Sequence, residues 1–338
     1  MKHPIWIAAT IAGGLAAGAA SAQTLDAVKT NDVLKCGVNT GLAGFAGPDP
    51  NGRWVGFDVA FCRAMAAAVL GDQDKVQFVP LTGETRFTAL ASGEVDYLSR
   101  NTTWTLTRDV DLGFTFIGVN YYDGQGFIVP AELGVTSATE LDGATVCIQT
   151  GTTTELNLAD FFAANGISYD PVPIQTNSEA LQQYQAGACD AYTTDASGLA
   201  ASRATFENPD DHVILPEIIS KEPLGPLVRE GDDQWADIGR WVLNALIAAE
   251  EYGITAENAA EMAASSQNPE IRRLLGSESN LGEILGLEAD WAVKAIQAQG
   301  NYGEIFAANI GEGTPINLAR GLNAQWTDGG LMYSPPFR

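Results

Sequence analysis

The run Arg100-Asn101-Thr102-Thr103-Trp104-Thr105-Leu106-Thr107-Arg108 sets two guanidinium groups around four threonines and one asparagine, in a chain with 42 acidic and only 18 basic side chains. It follows the strand-like run Val95 to Leu98, so its polar groups should emerge at a strand's carboxyl end, where open α/β sheets hold ligands. The chemistry suits a small carboxylate: Arg108 offers a bidentate fork, and Thr103 adds a hydroxyl and a backbone N–H. The competing reading is a helix start, with Thr103 or Thr105 as N-cap and Arg108 solvated on the first turn.

Three further positions extend this picture. Gln149-Thr150-Gly151-Thr152-Thr153-Thr154 lies between a strand-like and a helix-like run. The free N–H groups of a helix start, near Thr152 and Thr153, would favour one carboxylate. With one glycine and no following lysine it is no phosphate loop, and the alternative is a Thr-capped helix without a ligand. Asp195 follows another strand and is either an N-cap or an acceptor for an ammonium group. Arg86 opens a helix, an unfavourable place for a cation unless it faces an anion. Together these groups describe an α-amino acid, with its carboxylate at Arg108 and the threonine loops and its ammonium at Asp195. For catalysis there is little: beyond residue 22 the one histidine is His212, and no nucleophile elbow or metal-ligand spacing occurs. No cofactor or metal is expected.

The elements that must position these residues follow from period and punctuation. Leu34 to Asn39 reads as a strand, Val59 to Leu70 as a helix capped by Asp58, Val76 to Pro80 as a strand, and Thr85 to Ala91 as a helix ended by Gly93. A second cycle runs from the strand Ala144 to Gln149 through helices at Glu155 to Ala164 and Glu179 to Ala186 to the strand Cys189 to Thr193. The cycles echo each other: Ala91-Ser92-Gly93-Glu94-Val95-Asp96 matches Gln185-Ala186-Gly187-Ala188-Cys189-Asp190, with a polar candidate five residues past each Asp, Asn101 and Asp195. Short strand–helix alternation predicts an α/β fold with a mostly parallel sheet in each of two lobes and a cleft between them. Crossings are expected near Phe127 to Glu132 and Leu224 to Gly231, which gives a discontinuous first lobe, 23–129 with 226–338, and a second lobe, 130–225. Helices are expected from Gln234 onward, and the weakly charged segment Thr314 to Arg338 should pack on the body.

Length alone favours two domains at 338 residues. Lys2, the apolar run Ile5 to Ala20 and Ala20-Ser21-Ala22 read as a secretory signal over 1–22, so the exported chain is expected to begin at Gln23. A formal charge of −24 argues against nucleic acid or anionic membranes as partners. Four cysteines allow three pairings. The lobe division favours Cys36 with Cys62 and Cys147 with Cys189, four free thiols being the alternative.

With Val55-Gly56-Phe57-Asp58-Val59, Leu90 to Asp96 leading into Arg100 to Arg108, Val146 to Thr154, and Glu179 to Asp195, the chain resembles the periplasmic substrate-binding proteins of polar amino-acid ABC transporters over about residues 30–250. The helical tail and the ending Tyr333 to Arg338 resemble the general L-amino-acid-binding branch, which handles glutamate, glutamine, aspartate and asparagine. The resemblance implies a two-lobed type II periplasmic binding fold with a helical C-terminal extension, acting as a monomer that hands its ligand to membrane permease subunits. It further implies that Arg108 clamps the α-carboxylate with Thr103 and the Thr153 backbone N–H, and that Asp195 and the Asn101 carbonyl hold the ammonium. Arg86 matches an arginine used on side-chain carboxylates. Asn39 stands at a selectivity position, where its amide fits acceptance of glutamine and asparagine. Leu42 replaces a stacking aromatic. The rival reading is an exported small-carboxylate dehydratase on the same scaffold, with Asp195 or His212 as its acid or base, and a receptor sensor domain ranks below both.

Overall fold

The computed structural model describes residues 23–338; the expected signal segment, 1–22, lies outside them. Two five-stranded sheets carry the molecule, and they have the same plan. In the first the spatial order is Val76–Leu81, Leu34–Asn39, Tyr97–Leu98, Leu227–Arg229, Phe114–Phe116. In the second it is Tyr169–Ile174, Ala144–Gln149, Ala191–Asp195, Gln125–Pro130, His212–Ile214. In each, the first three strands are parallel, the fourth runs antiparallel to them, and the fifth pairs antiparallel with the fourth and so points the same way as the first three. The antiparallel members have a simple cause. Leu227–Arg229 returns from the second lobe and Gln125–Pro130 arrives from the first, so each enters its sheet against the direction of the resident strands.

The echo between the two cycles has a structural content. Gly93 and Gly187 both adopt left-handed φ, +78° and +72°, which ends each helix where a Cβ would be strained. The Asp that follows then ties its strand to the neighbouring one. Asp96 Oδ2 accepts from Lys35 N at 3.0 Å, and Asp190 Oδ2 accepts from Thr145 N at 2.8 Å. Both cysteine pairs form as expected: Cys36–Cys62 pins a strand to the helix Phe57–Leu70, and Cys147–Cys189 joins neighbouring parts of the second lobe.

The first crossing lies ahead of where the sequence suggested, while the second meets the expected stretch at Leu224. Phe127 to Val129, read as extended linker, is an interior part of the second sheet and buried; an apolar run with Pro130 at its end looks the same in either role. The chain crosses on the paired antiparallel strands Tyr121–Asp123 and Glu222–Leu224. Asp58 is a second difference. The helix begins at Phe57 with Gly56 as N-cap and no side-chain cap, and the buried Asp58 carboxylate reaches across to accept the Asn101 N–H at 2.9 Å.

The C-terminal third braces the first lobe. Helix Trp291–Gln299 packs on Phe57–Leu70, and Tyr302 Oη donates to Asn120 O just ahead of the crossing strand at 2.8 Å. The tail clasps the same strand: Asn323 accepts from Tyr122 N and donates to Tyr122 O. Arg320 forks onto Glu250 at 2.7 and 3.1 Å. Phe337 and Met332 are buried as the low charge of the tail predicted, while Trp326 and Tyr333 stay exposed and pack on each other. Among the described residues no helix is long and apolar enough to cross a membrane.

Replacing Cys147 and Cys189 by serine frees a loop whose ends are 42 residues apart. The expected cost is roughly 2–4 kcal/mol of unfolding free energy, read as a lower urea midpoint with far-ultraviolet dichroism unchanged before the transition.

Candidate functional site

The expected site residues converge where the carboxyl ends of the two sheets face each other. Asn101 follows the first sheet's strand Tyr97–Leu98 and holds a positive φ of 30°, a conformation a non-glycine residue keeps only when its surroundings impose it. Its N–H is fixed by Asp58. Its side chain bridges the lobes: Oδ1 accepts from Asn39 Nδ2 at 3.0 Å and from Arg100 Nη1 at 3.1 Å, while Nδ2 donates to Asp195 Oδ2 at 3.2 Å. The two positions that the sequence echo paired, Asn101 and Asp195, thus meet across the cleft.

Asp195 occupies the N-cap position of the helix Ala196–Arg203 without capping it. Asp123 from the crossing strand takes that work, accepting from Ser197 N at 3.3 Å and from the Ser197 hydroxyl. The buried Asp195 carboxylate is left to face the first lobe. Burial pushes its pKa well above the usual carboxylate range, and the neighbouring Asp123 and Glu222 push the same way.

Three buried guanidinium groups stand opposite. Arg108 leaves its backbone in a π-helical turn, Thr107–Asp111, capped by Thr105 Oγ1. Thr105 therefore does cap a turn, but Arg108 is buried rather than solvated. Its Nη1 donates to Thr103 O at 2.8 Å. Arg86 Nη1 donates to Thr102 Oγ1 at 3.3 Å and its Nη2 crosses to Gly151 O at 3.2 Å. Phe87 lies beneath both, with guanidinium carbons 4.8 and 5.1 Å from its ring centroid, so the ring face offsets part of their desolvation. Arg100 Nε donates to Leu81 O at 3.1 Å. Burial depresses all three, and repulsion from neighbouring arginines adds to it at Arg86, which falls furthest, and at Arg100, which falls to about 10. Arg86 Nε and Arg100 Nη2 are buried donors without a hydrogen-bond partner among the described residues. Unpaired buried donors are uncommon in native proteins, and here they border a cleft whose chemistry favours an anion.

From the second lobe comes the start of the helix Thr153–Asn165. Thr152 is its N-cap by position, but its hydroxyl turns back to Gln149 O at 2.7 Å, and Glu155 takes the Gly151 N–H at 2.8 Å. The hydroxyls of Thr103 and Thr153 approach to 3.3 Å. On one flank the lobes touch so closely that a Cβ on Gly83 would sit 2.6 Å from Thr150 O. On the other, Asn177 Nδ2 donates to Gly41 O at 3.4 Å.

His212 takes no part in this cluster. Its Nδ1 meets Tyr184 Oη at 2.9 Å and its ring packs on Phe206, at the outer strand of the second sheet. Two acidic residues of the cleft carried no role in the sequence reading, Asp123 and Glu222. Glu222, buried on the crossing strand, accepts from Thr103 Oγ1 at 2.5 Å and Thr153 Oγ1 at 2.9 Å. The available signal was alternation: within Glu222-Pro223-Leu224 the glutamate shares the inward phase of the buried Leu224.

Residues 34–259 match the family of bacterial extracellular solute-binding proteins, family 3. The chain is 66% identical over 338 residues, the full length of both, to the glutamate/glutamine/aspartate/asparagine-binding protein BztA of Rhodobacter capsulatus. To the general L-amino acid-binding periplasmic protein AapJ of Rhizobium johnstonii it is 58% identical, again over all of both chains. A solved structure of an ABC transporter periplasmic binding protein from Brucella ovis, with glutathione bound, superposes with a TM-score of 0.91 at 58% identity, covering 94% of this chain and 100% of that one. Two lobes of matching topology, a polar cleft between them and relatives that align from end to end lead to one conclusion: the chain belongs to family 3 of the bacterial extracellular solute-binding proteins.

Proposed function

We propose that this protein binds polar L-amino acids, namely glutamate, glutamine, aspartate and asparagine, in the periplasm and delivers them as a monomer to the permease subunits of an ABC transporter. The observation that carries the reading is the opposition of Arg108 and Arg86 on one lobe to Asp195 on the other, with Asp195 inside the Coulombic reach of both guanidiniums. A zwitterion presents the complementary pair of charges. Arg108 takes the α-carboxylate with the backbone N–H groups of Thr103 and Thr153, and Asp195 takes the ammonium with the Asn101 carbonyl. Arg86 and Asn39 read the side chain, the first favouring a carboxylate and the second an amide, with Thr152 and its loop closing that end. Relatives 66% and 58% identical bear names of amino-acid-binding proteins, which favours binding over the dehydratase reading. The glutathione in the Brucella ovis protein fits the same chemistry, since its γ-glutamyl end is an α-amino acid.

Charge-assisted hydrogen bonds contribute roughly 1.5–3 kcal/mol each, and stripping one partner from a buried pair costs more. Arg108→Ala and Asp195→Ala are each expected to weaken glutamate and glutamine binding by roughly two to three orders of magnitude in calorimetry. Undiminished binding in either variant would end the assignment.

Closure follows from bonds that both lobes make to one ligand. Gly83→Val places a branched side chain against Thr150 O without requiring a positive φ at that position. The variant is expected to keep its melting temperature yet bind glutamine at least roughly tenfold more weakly, a loss of about 1.4 kcal/mol, and to scatter X-rays as the more open form when glutamine is present.

Proton linkage has a definite sign. The raised pKa of Asp195 means that it takes up a proton well before an ordinary carboxylate as pH falls, and an ammonium ligand favours the ionised form. Binding should therefore release protons and tighten as pH rises through the range in which Asp195 loses its proton. Calorimetry in two buffers of different ionisation enthalpy reads the release directly, and proton uptake instead would contradict the assignment of Asp195 to the ammonium.

A further inference from the structure

Glu222 holds together groups that the amino-acid-binding reading assigns to the ligand. Its Oε2 accepts from Thr103 Oγ1 at 2.5 Å and Thr153 Oγ1 at 2.9 Å, and its Oε1 from Asn157 Nδ2 and Ser220 Oγ, both at 2.7 Å. These donors belong to different bodies: Thr103 to the first lobe, Thr153 and Asn157 to one helix of the second, and Ser220 to the segment entering the crossing strand. The glutamate is only 1% exposed. A hydroxyl has one proton to give, so each threonine that donates to Glu222 has none left for a second carboxylate.

The backbone supports the same division of labour. Thr103 forms an antiparallel bridge with Leu224, yet the bonds of that bridge run through its neighbours, Trp104 N to Pro223 O and Gly225 N to Thr102 O. In such a pair the N–H of the central residue points away from the crossing strand. The Thr103 N–H is thereby directed at the cleft while its hydroxyl is held on Glu222.

We propose that Glu222 is a closure latch: a carboxylate of the protein itself that joins Thr103 of one lobe to Thr153 and Asn157 of the other in the shut arrangement. It leaves the ligand carboxylate to Arg108 and the backbone N–H groups. This rests on the amino-acid-binding reading and adds to it a term that belongs to closing rather than to any ligand contact. Bonds between the lobes alter the fraction of molecules competent to hold ligand, and that fraction scales the apparent affinity for every ligand alike.

The test combines affinity with a direct view of closure. Glu222→Gln is expected to raise the Kd for glutamine and asparagine by the same factor, roughly tenfold, mainly through faster dissociation. In ligand-free protein, spin labels placed one on each lobe should show a smaller closed population in the variant than in the parent. Asn157→Ala, which removes a single donor to Glu222, should weaken both ligands about threefold, and it should add nothing when combined with Glu222→Gln. Should Glu222→Gln fail to fold, Asn157→Ala and Ser220→Ala carry the same comparison. Identical closed populations in ligand-free parent and variant, full additivity of the two substitutions, or unchanged affinities would each overturn the latch. Failure of the parent protein to bind any of the four amino acids would overturn the functional reading instead, and the spin-label comparison would still decide whether Glu222 joins the lobes.

Discussion

Seven ionisable side chains converge on the cleft, and matching their charges governs the rest of the structure. Arg86, Arg100 and Arg108 are withdrawn from water, as are Asp58, Asp195 and Glu222, and Asp123 stands partly buried beside them. Moving an ion out of water costs several kcal/mol unless partners replace its hydration. Neither lobe supplies those partners alone. Arg86 reaches Gly151 O, Asn101 reaches Asp195, and Thr103 reaches a glutamate that also gathers Thr153. The lobes are thus built as halves of one polar interior, and a small zwitterion fits the same rules as the side chains around it.

Placing such charges requires a stiff scaffold, and several devices provide it. The repeated Gly–x–x–Asp segment closes each helix on a left-handed glycine and fastens a parallel strand to its neighbour through Asp96 or Asp190. Disulfides fix a strand in each lobe. The C-terminal third clasps the crossing strand through Tyr302 and Asn323, beside the segment about which the lobes would move. A brace there ties the C-terminal helices to the first lobe, and two short antiparallel strands join that lobe to the second.

Asp58 shows how local and distant demands compete for one side chain. As an N-cap it would satisfy a helix start worth about 1 kcal/mol. It is instead drawn beneath Asn101, where burial raises its pKa to about 7 and the Asn101 N–H and Arg100 pull it back. Its bond holds Asn101 in a left-handed turn that lets one amide meet Asn39, Arg100 and Asp195 together. Asp123 and Asp195 trade places in the same way, the first capping the helix so that the second is free to face the cleft.

By itself, the sequence determined the parallel strands, the helices between them and the doubled plan; it favoured the cysteine pairing that forms, and it singled out Arg108 and Asp195, which packing brings into one cleft. These readings rest on residue type, on periods of a few residues, or on a repeated segment. Only the tertiary structure decided that Phe127 to Val129 is sheet rather than linker, that Asp58 and Asp195 forgo capping, that the helical tail braces the crossing strand, and that Glu222 joins the lobes. A buried carboxylate and a solvated one read alike in a chain. What separates them here is a partner 119 residues away, brought near by packing that no local pattern encodes.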